Sequence, residues 1–509
     1  MDPEKARSTD STADEDVEQQ TIHNDGHQPK PDEIRPAVVR ADSEKTAIPT
    51  VNPPPRRKFL ARLILGDRPA PDRQFSKKKK LMILATVAIA GTISPVATTI
   101  YYPAIVEMQY DLNTTDTAMN ASLSVFTFAT ALFPLMWASF GDKFGRRPVY
   151  LVSFLISVIG SICCALSVNV GMLIAFRAVS AIGSSSVMSI GAGTISDLFE
   201  AEERGRAFGY YTMGPLLGPA LAPIIGGYLS QGLGWRANFW FLAIFAFCIW
   251  LCIFLILPET LMKQPKQNDN SGDKPKSRHR PVNPIAPITL LRFPNVALTV
   301  SFVGILFFVW YLINTNFTRL YQQQYGLDTG TTGLCYLPLA GGAMVGCVLG
   351  GRVSDQNYRR RVAKAKENNQ EVYPEMRMGS PLFYGSLFLQ LAICIVYGWC
   401  LEFNVHYAVG IVMLFFIGFS LMIPNVTMSA YLIDCFRKKG ASVTACNNFV
   451  RYIMAGIGSL VASDIQRALG SGILYTVCGA ALLLFSILLV ILRMKGKEWA
   501  IKRKEQGYV

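Results

Sequence analysis

Charge is scarce in this chain. Only 17% of its 509 residues are Asp, Glu, Lys or Arg, against roughly a quarter in soluble domains, while 51% are hydrophobic. That balance excludes an ordinary soluble domain and points to a polytopic membrane protein. Histidine is almost missing: there are 4, and His23, His27 and His279 lie in polar stretches. The 11 cysteines sit mostly inside apolar runs, with no CxxC pair and no His at zinc spacing. They read as small free-thiol packing residues, and no metal site is expected. Ser-His-Asp, GxGxxG and P-loop patterns are absent too, so neither an enzyme nor a cofactor is expected. The last gap matters most. No Asp or Glu lies deep within an apolar run.

The net charge of +14 would suggest nucleic acid in a soluble protein. Here the basic residues fall in short loops between apolar runs, which the positive-inside rule explains, and no nucleic-acid partner is expected. Residues 1–55 are polar, lack an apolar period and read as disordered, with no cleavable signal peptide. Residues 56–80 turn basic. Phe59, Leu60, Leu63 and Ile64 fit either a short amphipathic helix on an anionic leaflet or a solvated basic linker.

Twelve apolar runs follow, at about 82–104, 118–140, 149–167, 171–195, 205–230, 238–257, 296–316, 331–351, 380–400, 406–432, 441–463 and 470–493. Each approaches the roughly 20 residues a bilayer needs. The fold expected is all-α: twelve transmembrane helices in two pseudo-symmetric six-helix bundles. The domains expected are a cytoplasmic N-tail with a basic juxtamembrane segment (1–80), a first bundle (81–257), a cytoplasmic central loop (258–293), a second bundle (294–493) and a cytoplasmic C-tail (494–509). With the N-terminus inside, the short outer loops hold only Arg236, Arg319 and Arg467, so both termini are expected in the cytoplasm. Asn113-Thr-Thr115 in the first outer loop matches a glycosylation acceptor.

Two phrases recur in register. Asp142-Lys-Phe-Gly-Arg146-Arg147 follows the second run, and Asp355-Gln-Asn-Tyr-Arg359-Arg360 follows the eighth. Asp197-Leu-Phe199 precedes Arg204-Gly205 after the fourth run, and Asp434-Cys-Phe436 precedes Lys439-Gly440 after the tenth. Duplicated turns imply a duplicated bundle, the usual construction of transporters.

Several of these residues resemble the major facilitator superfamily, over roughly 80–495. Ala138-Ser-Phe-Gly-Asp142-Lys-Phe-Gly145-Arg146-Arg147 is similar to its cytoplasmic signature between helices 2 and 3, with Ala138 where Gly is usual. Asp142 can pair with a base or cap the next helix, and Arg146 can bridge to the other half and hold the inward side shut. Phe176-Arg177-Ala-Val-Ser180-Ala-Ile-Gly183 resembles the family's intramembrane-arginine motif, with Ser180 where Gln is usual. Gly214-Pro215-Leu-Leu-Gly218-Pro219, followed by Gly226-Gly227, resembles the helix 5 antiporter motif. Glycine there permits close helix contact and proline kinks the helix. Trp235-Arg236-Ala-Asn-Phe-Trp240 and Pro258-Glu259-Thr260 bracket helix 6 as in proton-coupled drug exporters. The whole resembles the fungal twelve-helix drug:proton antiporter branch, nearest its quinidine-resistance and citrate-exporter members. Ile190-Gly-Ala-Gly193-Thr-Ile-Ser-Asp197 and Ala441-Ser-Val-Thr444-Ala-Cys-Asn447-Asn448-Phe-Val-Arg451 carry that likeness.

Charges inside a span are costly and usually functional. Arg177 lies inside helix 4 and Arg451 near mid-helix 11, so a cavity holding both would be positive and would favour carboxylate substrates. Each Arg can instead hold the fold against backbone carbonyls. Tyr311, Asn314, Asn425, Asn447 and Asn448 can share the cavity or join helices. Glu107 and Asp434 are the carboxylates left to carry a coupling proton. The expectation is a monomeric plasma-membrane exporter of small organic anions, such as di- or tricarboxylates, working by alternating access and coupled to protons. Asp142, Arg146, Arg147, Asp355, Gly214, Pro215, Gly218 and Pro219 would serve its conformational change. The rival is a multidrug:proton antiporter for neutral or cationic compounds, its cavity lined by Phe126, Phe128, Phe307, Phe308 and Trp310. A non-transporting nutrient sensor would need a long cytoplasmic domain, which the tails do not offer.

Overall fold

The computed structural model describes residues 75–261, 286–370, 372–436 and 439–505. The expected disordered tail, the 59–64 segment and most of the 258–293 insert lie outside them. Among the described residues every regular element is helical. In chain order the long helices are α1 (Lys77–Thr99), α2 (Asp116–Phe144), α3 (Arg146–Ala165), α4 (Val170–Leu198), α5 (Ala201–Leu233), α6 (Arg236–Ile256), α7 (Pro294–Tyr325), α8 (Thr329–Glu367), α9 (Pro381–Glu402) and α10 (Tyr407–Cys435). A last helical run, Gly440–Glu505, breaks at Gly470, where φ 74° and ψ 168° leave helical geometry; it forms α11 (440–469) and α12 (471–505). Among the described residues ten helices are long and apolar enough to cross a membrane. The Gly470 break divides one of them, and α5, diluted by Pro215, Pro219 and Pro223, joins them to complete the twelve-helix membrane fold.

Local chemistry sets the helix ends. Thr115 caps α2 by accepting from the Ala118 amide, Asn169 caps α4 through Met172, and Asp328 caps α8 through Thr331. Proline opens α7 at its first turn and left-handed Gly326 closes it. After Gly470, Glu402 accepts from the amides of Ser471 (2.8 Å) and Gly472 (3.1 Å), capping α12.

Several helices outrun their apolar runs. α7 continues to Tyr325, α8 to Glu367 and α12 to Glu505. Lys77 to Lys80, expected as a juxtamembrane segment, form the first turn of α1, and the described part of the expected C-tail is helical. Hydropathy measures the apolar slab, whereas the backbone ladder continues past it wherever good helix formers follow.

The first six and last six helices pack by the same scheme. α1 lies on α5, α2 on α4, and α3 on α4 and α6; likewise α7 lies on α11, α8 on α10, and α9 on α10 and α12. The two halves meet where α2 touches α11 and α5 touches α8, pairs that are mates under the repeat. Outward faces are apolar: on α6, Ile244, Phe247, Leu251 and Leu255 form an exposed stripe at helical spacing, as lipid contact requires.

Candidate functional site

Two three-residue ion networks mark one end of the bundle, here termed the basic end. In the first half Arg146, 8% exposed, pairs with Asp142 (2.8 Å) and, from α4, Asp197 (3.2 Å). In the second half Arg377 pairs with Asp355 (2.5 Å) and, from α10, Asp434 (2.8 Å), beside the Tyr358 ring. The duplicated acids therefore occupy equivalent places, but the duplicated double Arg does not. Arg359 and Arg360 are exposed on α8, and the pairing cation arrives from the Pro374–Gly379 turn. α8 runs straight on past Asp355, whereas the first phrase stops at Gly145, whose φ of 112° turns the chain so that Arg146 opens a new helix.

Among the described residues Arg146 makes no ion pair to the other half; its partners Asp142 and Asp197 are both in its own bundle. Nor does Asp142 cap α3. That role falls to Glu259, 2% exposed, which accepts from the amides of Arg146 (2.9 Å), Arg147 (3.2 Å) and Leu261 (2.9 Å). Arg147 donates to the Phe254 carbonyl at 2.9 Å, tying α3 to the end of α6.

The opposite end is joined across the halves. Arg319, expected in a loop, lies inside α7 at 6% exposure because that helix is longer than its apolar run. It donates to Asn120 Oδ1 on α2 (2.9 Å) and Ser463 Oγ on α11 (2.8 Å), and it pairs with Asp116 at 3.4 Å. Asn120 donates to Ser463 (3.0 Å), and Thr117 to Asp464 (3.0 Å). Gln322 reaches the Pro103 carbonyl at 2.8 Å, and Tyr102 stacks on Tyr336 across the same junction. Sequence spacing carries no sign of this latch, because its members lie 144 and 199 residues from Arg319.

Between the two ends lie the expected cavity residues. Arg177 is 1% exposed, with the Tyr101 and Phe126 rings 4.1 and 4.2 Å from its guanidinium carbon. One nitrogen donates to the Ala97 carbonyl at 2.7 Å, while Nε and Nη2 have no hydrogen-bond partner. It clamps α1, α2 and α4 together and is closed off by its neighbours. Arg451 is half-buried. Phe307 and Tyr452 stand 4.7 and 4.8 Å from its guanidinium carbon, its Nε is unpartnered, and no carboxylate pairs with it among the described residues. Thr444, Asn448, Arg451 and Tyr452 are the more open residues of one face of α11. Tyr311 on α7 is within electrostatic reach of Tyr102, Arg451 and Tyr452, and Tyr211 on α5 is within reach of Tyr452. Residues of α5, α7 and α11 thus come together near Arg451 and its neighbour Tyr452, where the two halves meet.

The amides divide. Asn314 turns back on its own helix, donating to the Trp310 carbonyl at 2.7 Å. Asn425 touches Met422 Sδ, and its Oδ1 is unpartnered, as is that of buried Asn447. Of the aromatics expected to line a drug cavity, Phe126 covers Arg177, Phe307 covers Arg451, and Phe128 packs against Gly456 of α11.

Neither proton candidate lies at the centre. Glu107 sits in the short helix Ile105–Asp111 at the latch end, accepting from the Trp235 amide at 3.3 Å, and partial burial raises its carboxyl above the usual range. Nearby Asp111 is held low by hydrogen bonds from the Trp235 indole and Arg236. Asp434 is engaged by Arg377 at the basic end.

In the antiporter-like motif the helix continues through all three prolines, and the glycines explain its packing. A Cβ on Gly214 would strike the Ala88 carbonyl, and one on Gly226 the Ile100 carbonyl, so α5 lies backbone-close on α1.

Residues 87–459 match the sequence profile of the Major Facilitator Superfamily. The chain belongs to the major facilitator superfamily. It is thus a multi-pass membrane protein of a transporter family. It is 27% identical to the MFS antiporter QDR3 of Candida albicans, over 87% of this chain and 81% of that one. It is 28% identical to citrate exporter 1 of Aspergillus niger, over 92% and 97%. The solved structure of a bacterial homologue of the human lysosomal transporter Spinster, inward-facing and unoccupied, has the same fold, with TM-score 0.62 and 16% identity over 84% of this chain and 98% of that one.

Proposed function

We propose that this superfamily member exports small organic anions across the plasma membrane by alternating access. The observation that carries the reading is Arg451: a half-buried guanidinium where the halves meet, the place of the central cleft on this reading, with no carboxylate partner among the described residues. A charge buried in a span is costly unless something pairs with it, and a carboxylate substrate supplies that pair in the bidentate geometry arginine favours. Likeness to a citrate exporter supports the same substrate chemistry. The excess of Lys and Arg supports a cytoplasmic basic end and cytoplasmic termini. On that orientation the Arg319 latch ties the halves on the outer side. The halves divide at the 258–293 insert and rock against each other about the cleft.

Likeness to QDR3 supports the second reading, a multidrug antiporter. A permanently cationic substrate would meet Arg451 without an acid to offset it, which favours the anion. The test is efflux from cells with and without the protein, using labelled citrate, a labelled aromatic monocarboxylate and a cationic dye. Export of either anion, lost in Arg451→Gln, supports the proposal. Export of the dye alone overturns it in favour of the multidrug reading.

A further inference from the structure

Among the described residues, three buried or half-buried arginines lie away from the basic end, and the structure gives each a different fate. Arg319 is committed to Asp116, Asn120 and Ser463 at the latch. Arg177 is 1% exposed, with aromatic rings against it and one nitrogen on a carbonyl, so no ligand reaches it without dismantling α1, α2 and α4. Of the three, Arg451 alone is half-buried, and its surroundings are aromatic: Phe307, Tyr452 and Tyr311, with Tyr211 of the first half near Tyr452. The cleft therefore offers one positive charge set among rings.

We infer that the substrate is a monoanion, a single carboxylate on an aromatic or otherwise flat apolar body, and not a di- or tricarboxylate. This rests on the organic-anion reading above and narrows it. One carboxylate forms a fork-to-fork pair with Arg451 and leaves the cleft neutral. A second or third carboxylate would lose its water with no cation to receive it, the costliest event in a low-dielectric site. The rings supply stacking area for an apolar body and nothing for an extra charge, while tyrosine hydroxyls and the unpartnered Asn447 carbonyl leave room for hydroxyl or amino substituents. The expectation of di- and tricarboxylates depended on two cationic side chains in one cavity, and the enclosure of Arg177 removes one of them.

The experiment is equilibrium binding to the purified full-length protein in lipid nanodiscs at neutral pH. The probes are 2-naphthoate, its neutral isostere 2-naphthamide, citrate and the cation 2-naphthylmethylammonium. Naphthoate should bind at least tenfold more tightly than citrate and than naphthamide. Arg451→Gln should erase the preference for naphthoate over naphthamide, while Arg451→Lys, which keeps the charge, should retain part of it. Arg177→Lys should leave the preference intact. Tighter binding of citrate, or no binding of naphthoate, overturns the monoanion and leaves organic-anion export standing. A preference for the ammonium probe overturns both.

Discussion

Arg319 on α7 donates to Asn120 on α2 across 2.9 Å, and through that bond the two halves of the molecule are tied at one end. Ser463 on α11 accepts from the same guanidinium and from Asn120, so three helices converge on one buried cation. A hydrogen bond to a charged group contributes about 1.5–3 kcal/mol, enough to bias a two-state equilibrium strongly.

Locking this contact should stop transport. In the Asn120→Cys, Ser463→Cys double variant, oxidation by copper phenanthroline is expected to abolish efflux and a reductant to restore it. Undiminished transport by the crosslinked protein would show that this end need not open.

Arg377 and Arg359 should behave in opposite ways. Arg377→Ala leaves Asp355 and Asp434 without their shared cation and should cost about 2 kcal/mol, read as a lowered thermal midpoint of the purified protein. Arg359→Ala removes an exposed side chain and should change stability by no more than about 0.5 kcal/mol. Equal effects would contradict the assignment of Arg377 as the second half's pairing cation.

Arg177→Lys tests the clamp. Lysine keeps the charge but loses the planar contact with Tyr101 and Phe126, about 1–2 kcal/mol for desolvated cation–π pairs. The thermal midpoint should fall while substrate affinity of the folded fraction holds. Unchanged stability with lost affinity would return Arg177 to the substrate site.

Transport should follow voltage more closely than pH. No carboxylate occupies mid-span, while an inside-negative potential drives an anion outward by about 2.3 kcal/mol per charge per 100 mV. In proteoliposomes, collapsing the pH gradient at fixed potential should leave anion efflux within about twofold, and setting the potential to zero should slow it severalfold. The reverse pattern would mean that export is coupled to a proton and would return Glu107 and Asp434 as candidates to carry it.

Much of the architecture was legible in the sequence. Apolar runs of bilayer length reveal helices because lipid leaves few alternatives, and the repeated acids betray the duplication. Contacts set by three-dimensional meeting were not. Arg319 counts as a loop residue until α7 is seen to outrun its apolar stretch, and Glu259 reads as a bracket after helix 6 until it is found capping α3. The fate of the intramembrane arginines was hidden for the same reason. Depth in a span follows from position, but whether a guanidinium is enclosed, as Arg177 is, or open, as Arg451 is, depends on which rings other helices bring.

Asp142 and Asp355 hold matching places, as do Asp197 and Asp434, yet their cations come from unrelated parts of the chain, one four residues beyond the first acid and the other from a turn after a long helix. What survived the doubling of this bundle is thus an arrangement of vacant negative charge, which any guanidinium within reach can settle. Because the ion pairs of each network among the described residues close inside one half, the proposed rocking of the halves need break neither. On the alternating-access reading the molecule is a door bolted at the Arg319 end: that latch must be undone, while among the described residues each triad at the other end travels with its own panel.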